Sequence, residues 1–179
     1  PRGILNGAPP ESGYSNALAE QGLLVRLQSR IVGDAESGIV FDTFGLYWMS
    51  WDGQEEAWRA RTLQWKDQVS SGTQETGIRT RPTLGNPRSR LIVLRQEETS
   101  NMEAPFDAAL EQPFIPKTLS WIIGTWLGHD AADGTFAWHA FDDSAAEPRI
   151  AMRTDLLEPT GDGAWRLTTS IGEHGTTLE

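Results

Sequence analysis

The sequence predicts a mainly β protein, a single antiparallel β-barrel of about eight strands with an N-terminal arm and one or two short helices. Three observations predict it. Short β-rich runs recur from Gly22 to the end, three Asp-Gly pairs punctuate them, and the later runs alternate apolar and polar residues. In Arg149 to Leu156, Ile150, Met152, Thr154 and Leu156 stand against Arg149, Arg153 and Asp155. In Trp165 to Ile171, Trp165, Leu167, Thr169 and Ile171 stand against Arg166, Thr168 and Ser170. Period two is the signature of a strand with one wet and one dry face.

Residues 1–21 form the expected arm, and residues 22–179 the single barrel domain. Pro1 to Pro10 is rich in Gly, Pro and Asn and reads as extended, while Ser12 to Glu20 suits a short helix. The expected strands are Leu23 to Ile31, Ile39 to Trp51, Trp58 to Trp65, Leu91 to Gln96, Ser120 to Leu127, Thr135 to Phe141, Arg149 to Leu156 and Trp165 to Ile171. Asp52-Gly53, Asp133-Gly134 and Asp162-Gly163 are hairpin signals, because Asp tolerates the positive φ that Gly supplies freely.

Gln54 to Val69 admits two readings. It alternates as a strand, yet Asp52 with Glu55 resembles a capping box, and Trp58, Thr62, Trp65 and Val69 fall on one helical stripe. Helical patches are expected at Phe106 to Glu111 and Lys117 to Ser120. Gln68 to Pro87, with its Gly and Pro among Ser, Thr and Arg, reads as a loop or ragged strands able to move over a cavity mouth. Asn101 to Pro116 is the one plausible seam.

The charge balance narrows the partners. With 15 Lys and Arg against 25 Asp and Glu, the net charge is -10, which disfavours nucleic acid and anionic lipid, since both need a basic face. No apolar run approaches the length of a membrane span. The absence of cysteine removes disulfides, thiolate metal sites and cysteine nucleophiles. Pro1 to Glu20 lacks a charged start followed by an apolar core, so the expected location is cytoplasmic, with room left for a removed leader. A homodimer is compatible with the sequence.

Eight tryptophans are the outstanding compositional feature. Each buries a large apolar area while carrying an N–H that needs a partner. Filling a core is the ordinary role of such residues, but their clustering on adjacent expected strands points to a lined cavity. Trp48, Trp51, Trp65, Trp126, Trp138 and Met152 are the expected contacts for a small apolar or aromatic molecule. Alternation puts Leu46, Trp48 and Ser50 on one face and Tyr47, Met49 and Trp51 on the other. As a strand, Gln54 to Lys66 gathers Arg59, Arg61, Leu63 and Trp65 on one side, either as a solvated outer face or as a source of an inward guanidinium.

The run Pro116-Lys117-Thr118-Leu119-Ser120-Trp121-Ile122-Ile123-Gly124-Thr125-Trp126-Leu127-Gly128 resembles the entry strand of calycin-type barrels, the lipocalin and nitrobindin-like group, in which a short helix leads into Gly-x-Trp. The resemblance covers about 13 of 179 residues. It implies that Gly124 permits close approach of strand and helix and that Trp126 plugs the barrel end. The motif opens the chain in that family, whereas more than 110 residues precede it here.

Among groups able to do chemistry, His139 is foremost, since imidazole titrates near neutrality and its neighbours are aromatic. Its ordinary role would be a hydrogen-bonded packing residue. His129 and His174 sit in turn-like sequence, and His129 with Asp130 and Asp133 makes too compact a set for a metal site; no metal or other cofactor is expected. No Gly-x-Ser-x-Gly, His-Glu-x-x-His, Gly-x-x-x-x-Gly-Lys or Gly-x-Gly-x-x-Gly motif occurs, which disfavours serine hydrolases, zincins, NTPases and dinucleotide enzymes. The expectation that follows is a cofactor-independent cyclase or isomerase, with His139, Tyr47 or Arg59 polarising an apolar substrate. A non-catalytic carrier barrel and a carbohydrate-binding β-sandwich are the alternatives.

Overall fold

The computed structural model describes residues 22–33, 38–66, 69–97, 103–127, 134–143, 148–160, 164–172 and 174–178. The expected arm over 1–21 lies outside these residues. The chain divides into two compact units, 1–108 and 109–179, and the division falls inside the 101–116 stretch.

The first unit holds one antiparallel meander. Strands β1 (Gly22–Val32), β2 (Val40–Ser50), β3 (Glu56–Lys66), β4 (Val69–Thr80), β5 (Arg90–Glu97) and β6 (Glu103–Ala109) lie side by side in chain order. The second unit holds β7 (Gly134–Asp142), β8 (Arg149–Pro159), β9 (Trp165–Ile171) and β10 (His174–Leu178), again in sequential antiparallel order. The protein is therefore mainly β and antiparallel, in two sheets. The expected single closed barrel is not found among the described residues, because β1 and β6 each pair on one side only.

Gln54 to Val69 resolves as the strand β3. Its alternative, a helix capped by Asp52, is replaced by a tight loop. Asp52 Oδ1 accepts hydrogen bonds from Ser50 Oγ at 2.6 Å and from Gln54 N at 3.1 Å, and Gly53 takes φ 64°. The side chain that could have begun a helix instead closes a hairpin. Asp162-Gly163 joins the paired strands β8 and β9, although the two turn residues lie outside the described set. Asp133 lies outside the described residues, Gly134 begins β7, and the last described segment before them is helical rather than a strand.

That segment is a correction. The helical patch expected at Lys117 to Ser120 is present as α1 (Lys117–Ser120), but Ser120 to Leu127, expected as a strand, instead continues into a second helical turn, α2 (Ile123–Trp126). Leu119, Ile123 and Leu127 recur every four residues and pack against Ala140, Leu157 and Leu167 on one face of the second sheet. This stripe outweighs the β-branched composition of the run. At Gly124 an added Cβ would meet only Leu167 Cδ2, at an ordinary 3.4 Å.

Three further strands differ from the expected elements. Gln68 to Pro87, read as a loop or ragged strands, contains β4, a continuous central strand. The buried residues that β4 turns to the same face as Trp58 are Glu75, Gly77 and Arg79, so its alternation carries no apolar signal. Phe106 to Glu111, expected as helix, largely belongs to β6, where half-buried Phe106 and Ala108 alternate with exposed Pro105, Asp107 and Ala109. His174, expected in a turn, starts β10 and pairs with Ile171.

The register sorts the first sheet into two faces. Tyr47, Trp58, Gly77 and Val93 lie in one row on the buried face, as do Met49, Glu56, Arg79 and Leu91. The Trp58 indole and Tyr47 ring lie flat over Gly77 and Gly45, whose missing side chains leave the space. Charges on this face are paired across strands. Glu75 accepts from Trp58 Nε1 at 2.8 Å and from Arg95 Nη2 at 3.1 Å, while Glu56 stands opposite Arg79.

Candidate functional site

The opposite face of the first sheet carries Leu24, Trp48, Ala57, Ile78 and Ile92 in one row, then Arg26, Leu46, Arg59, Thr76 and Leu94, then Gln28, Phe44, Arg61, Gln74 and Gln96. Strand alternation dictates this composition. Trp48 and Ala57 are buried at one end, but Phe44 is 44% exposed and Trp65 39%. The face thus mixes open apolar surface with guanidinium groups.

At the β1 edge of this face lies a cleft of about 550 Å³, lined by Gln28, Ser29, Arg30, Asp42 and Phe44. Antiparallel register places Arg30 directly opposite Asp42. The pair is bidentate, Arg30 Nε to Asp42 Oδ1 at 2.7 Å and Nη2 to Oδ2 at 2.8 Å. From β3, Trp65 Nε1 donates to the same carboxylate at 3.0 Å. These bonds hold the Asp42 carboxyl below the usual carboxylate range. The Arg30 hydrogen bonds are the chief cause, burial opposes them, and the Arg30 charge and the Trp65 N–H add to the effect. The Arg30 guanidinium rises in step.

The arrangement fixes three planes near one another, the Arg30–Asp42 fork, the Phe44 ring and the Trp65 indole. Arg30 retains both hydrogens of Nη1, which have no partner among the described residues, and the Gln28 amide next to it likewise makes no side-chain hydrogen bond among them. The cleft can therefore donate and accept hydrogen bonds beside an apolar ring. Among the described residues no hydroxyl that lines it is hydrogen-bonded to a base.

The residues singled out from sequence are dispersed. Trp48, Arg59 and Trp65 share the open face, whereas Tyr47 is buried on the other side of the same sheet. Trp51 sits in the β2–β3 turn and is 63% exposed. Trp138, His139 and Met152 belong to the second unit. Met152 pairs with His139 on one face, 51% exposed, and Trp138 lies on the opposite face, stacked on Phe136 at 6.3 Å. The Trp126 side chain lies outside the described residues, as do His129, Asp130 and Asp133.

His139 is held by its backbone. Its N–H donates to Pro113 O at 2.7 Å and its carbonyl accepts from Ile115 N at 2.9 Å, which ties the 113–115 strap to the β7 edge. Its Nε2 stands 3.7 Å from Glu111 Oε2, and its Nδ1 is buried without a hydrogen-bond partner among the described residues. Behind the same sheet, Asp155 is buried and accepts from Arg153 Nη2 at 2.8 Å and from Thr169 Oγ1 at 2.6 Å.

Sequence reasoning missed Gln28, Arg30, Asp42 and Phe44. The available signal was the pairing of two adjacent alternating strands, which sets an Arg at position 30 opposite an Asp at position 42 once their hairpin is centred on residues 33–39.

Compared with family models, curated proteins and solved structures, this chain matches none.

Proposed function

We propose that this chain is a binding module that takes an uncharged, ring-bearing small molecule at the β1–β2 cleft, and that it does so without catalysis. One observation carries the reading: the cleft of about 550 Å³ falls within the usual size of ligand sites and joins an open aromatic ring to a preorganised polar fork. Asp42 is already satisfied by Arg30 and Trp65, so the fork needs no rearrangement to receive a guest.

A closed calycin-type barrel would instead enclose its ligand. The buried face of the first sheet is occupied by Trp58, Tyr47 and the Glu75–Arg95 pair, which supports placing the guest on the open face. A cyclase or isomerase was expected to use His139, Tyr47 or Arg59, and none of the three is among the residues that line the cleft. Tyr47 and Arg59 lie on opposite faces of their sheet, so the binding reading is preferred.

The test is a panel of uncharged ring-bearing compounds, from N-phenyl-1-naphthylamine to soluble oligosaccharides, titrated by calorimetry and tryptophan fluorescence. Binding that is lost in Phe44→Ala and kept in His139→Ala supports the proposal. Silence across the panel, or binding indifferent to Phe44, overturns it.

A further inference from the structure

Resting on that binding reading, we infer that the ligand class is a neutral saccharide, with one sugar ring seated on Phe44 and its hydroxyls met by Arg30, Asp42 and Gln28. Four features of the cleft converge on this chemistry.

First, the polar groups are planar and their geometry is fixed. The bidentate Arg30–Asp42 pair holds the guanidinium and the carboxylate in one fork. Nη1 can donate two hydrogen bonds, and the carboxylate can accept one beyond the three it already receives. Gln28 adds an amide that both donates and accepts. Vicinal hydroxyls, each both donor and acceptor, match such a mixed row. A purely apolar ligand would bury these groups unpaired, at a cost.

Second, the aromatic surface is open. Phe44 lines the cleft with nearly half of its surface exposed, and Trp65, tethered to Asp42, is similarly exposed on the neighbouring strand. Flat exposed rings suit the C–H face of a pyranose, which is apolar and also flat. A fused aromatic or terpenoid guest gains most from enclosure on all sides.

Third, the charge of the cleft cancels. Arg30 and Asp42 neutralise one another, and the chain carries a net charge of -10. The long-range field repels anions, and among the described residues that line the cleft the two charged groups, Arg30 and Asp42, are paired with one another.

Fourth, the cleft lies on the edge strand. Gln28, Ser29 and Arg30 belong to β1, which has no neighbour on its outer side among the described strands. No described residue walls off this edge, so the site as described fits an internal unit of an oligosaccharide as well as an end.

Calorimetric titration with cellohexaose, laminarihexaose, maltohexaose and mannohexaose tests the inference, with hexagalacturonate as the anionic control of matched size and N-phenyl-1-naphthylamine as the apolar one. At least one neutral hexasaccharide is expected to bind, and binding is expected to weaken roughly tenfold in both Phe44→Ala and Arg30→Met, the loss typical of one charge-assisted hydrogen bond or one stacked contact. Gln28→Ala, on the exposed edge strand, is the third variant should either of these fail to fold, with a smaller loss in the same direction. Capture of N-phenyl-1-naphthylamine in a Phe44-dependent way, with no hexasaccharide bound, overturns the saccharide class and leaves the binding reading standing. Silence toward all six compounds overturns both. Hexasaccharide binding unchanged in all three variants places the sugar elsewhere and overturns the site.

Discussion

The Trp58 indole lies across Gly77 so closely that a Cβ added to that glycine would sit 2.2 Å from Cζ2. The two residues are direct partners on β3 and β4, and Trp58 is fully buried. Gly77→Ala must therefore push a ring that has nowhere to go. Overpacking of this kind costs about 1–3 kcal/mol. Urea unfolding is expected to show an unfolding free energy lower by that amount, with a correspondingly lower midpoint. A change below about 0.5 kcal/mol, within the scatter of surface substitutions, would contradict the packing of the buried face.

Glu75 binds two donors at once, the Trp58 N–H and the Arg95 guanidinium. Glu75→Ala removes an acceptor from the buried Trp58 N–H and a counter-charge from part-buried Arg95, for an expected loss of about 1–3 kcal/mol. Glu75→Gln keeps an acceptor and should cost clearly less. Thermal unfolding of the two variants side by side checks the order, and equal losses would mean that Glu75 matters only for its volume.

The Asp42 carboxyl titrates below its usual range because of Arg30 and Trp65. Its folded pKa therefore lies under the unfolded value of about 3.9. The stabilisation from this group is complete above that unfolded value and disappears as the pH falls through the lower, folded one. Asp52 and Asp107 shift in the same direction, held chiefly by Ser50 and by Arg90 respectively. Stability measured from pH 7 downward is expected to hold to about pH 5 and then decline. Asp42→Asn should make the acid decline shallower. An unchanged acid limb in that variant would show that the Arg30–Asp42 fork does not persist in solution.

In the second unit, Thr169 donates to buried Asp155, and Arg153 closes the pair. Thr169→Val keeps the shape and removes one donor, for an expected loss of about 1 kcal/mol. Asp155→Ala leaves the Arg153 charge uncompensated and should cost about 3–5 kcal/mol. Chemical denaturation separates the two, and a neutral Asp155→Ala would contradict the pairing.

Period two made these strands legible, but not always the face they bury. Arg149 to Leu156 and Trp165 to Ile171 declare themselves by alternation, and Trp165–Ile171 is also the observed span of β9, yet in β8 the face read as wet is the buried one, with Arg153 and Asp155 inward beside Leu157 and Met152 51% exposed. β4 was hidden because its inward positions are Gly and charged residues, which pair with partners on other strands that the sequence does not place. The turn α1 was read correctly at Lys117 to Ser120, but α2 was hidden because Ile and Trp favour strands, while the deciding stripe of Leu119, Ile123 and Leu127 is short. The same limit applies to the site. Trp65 could be named from composition, but Arg30 and Asp42 acquire meaning only through the β1–β2 register.

Because β4 is hydrogen-bonded on both sides, its tolerance of length change differs from that of its neighbourhood. Adding one residue between Gly72 and Arg79 would turn Glu75, Gly77 and Arg79 outward and drive Thr76 and Ile78 beneath the Trp58 ring. The exposed 81–88 connection has no such parity to keep. A library of single-codon insertions selected for folded protein should therefore be empty across the first interval and populated across the second.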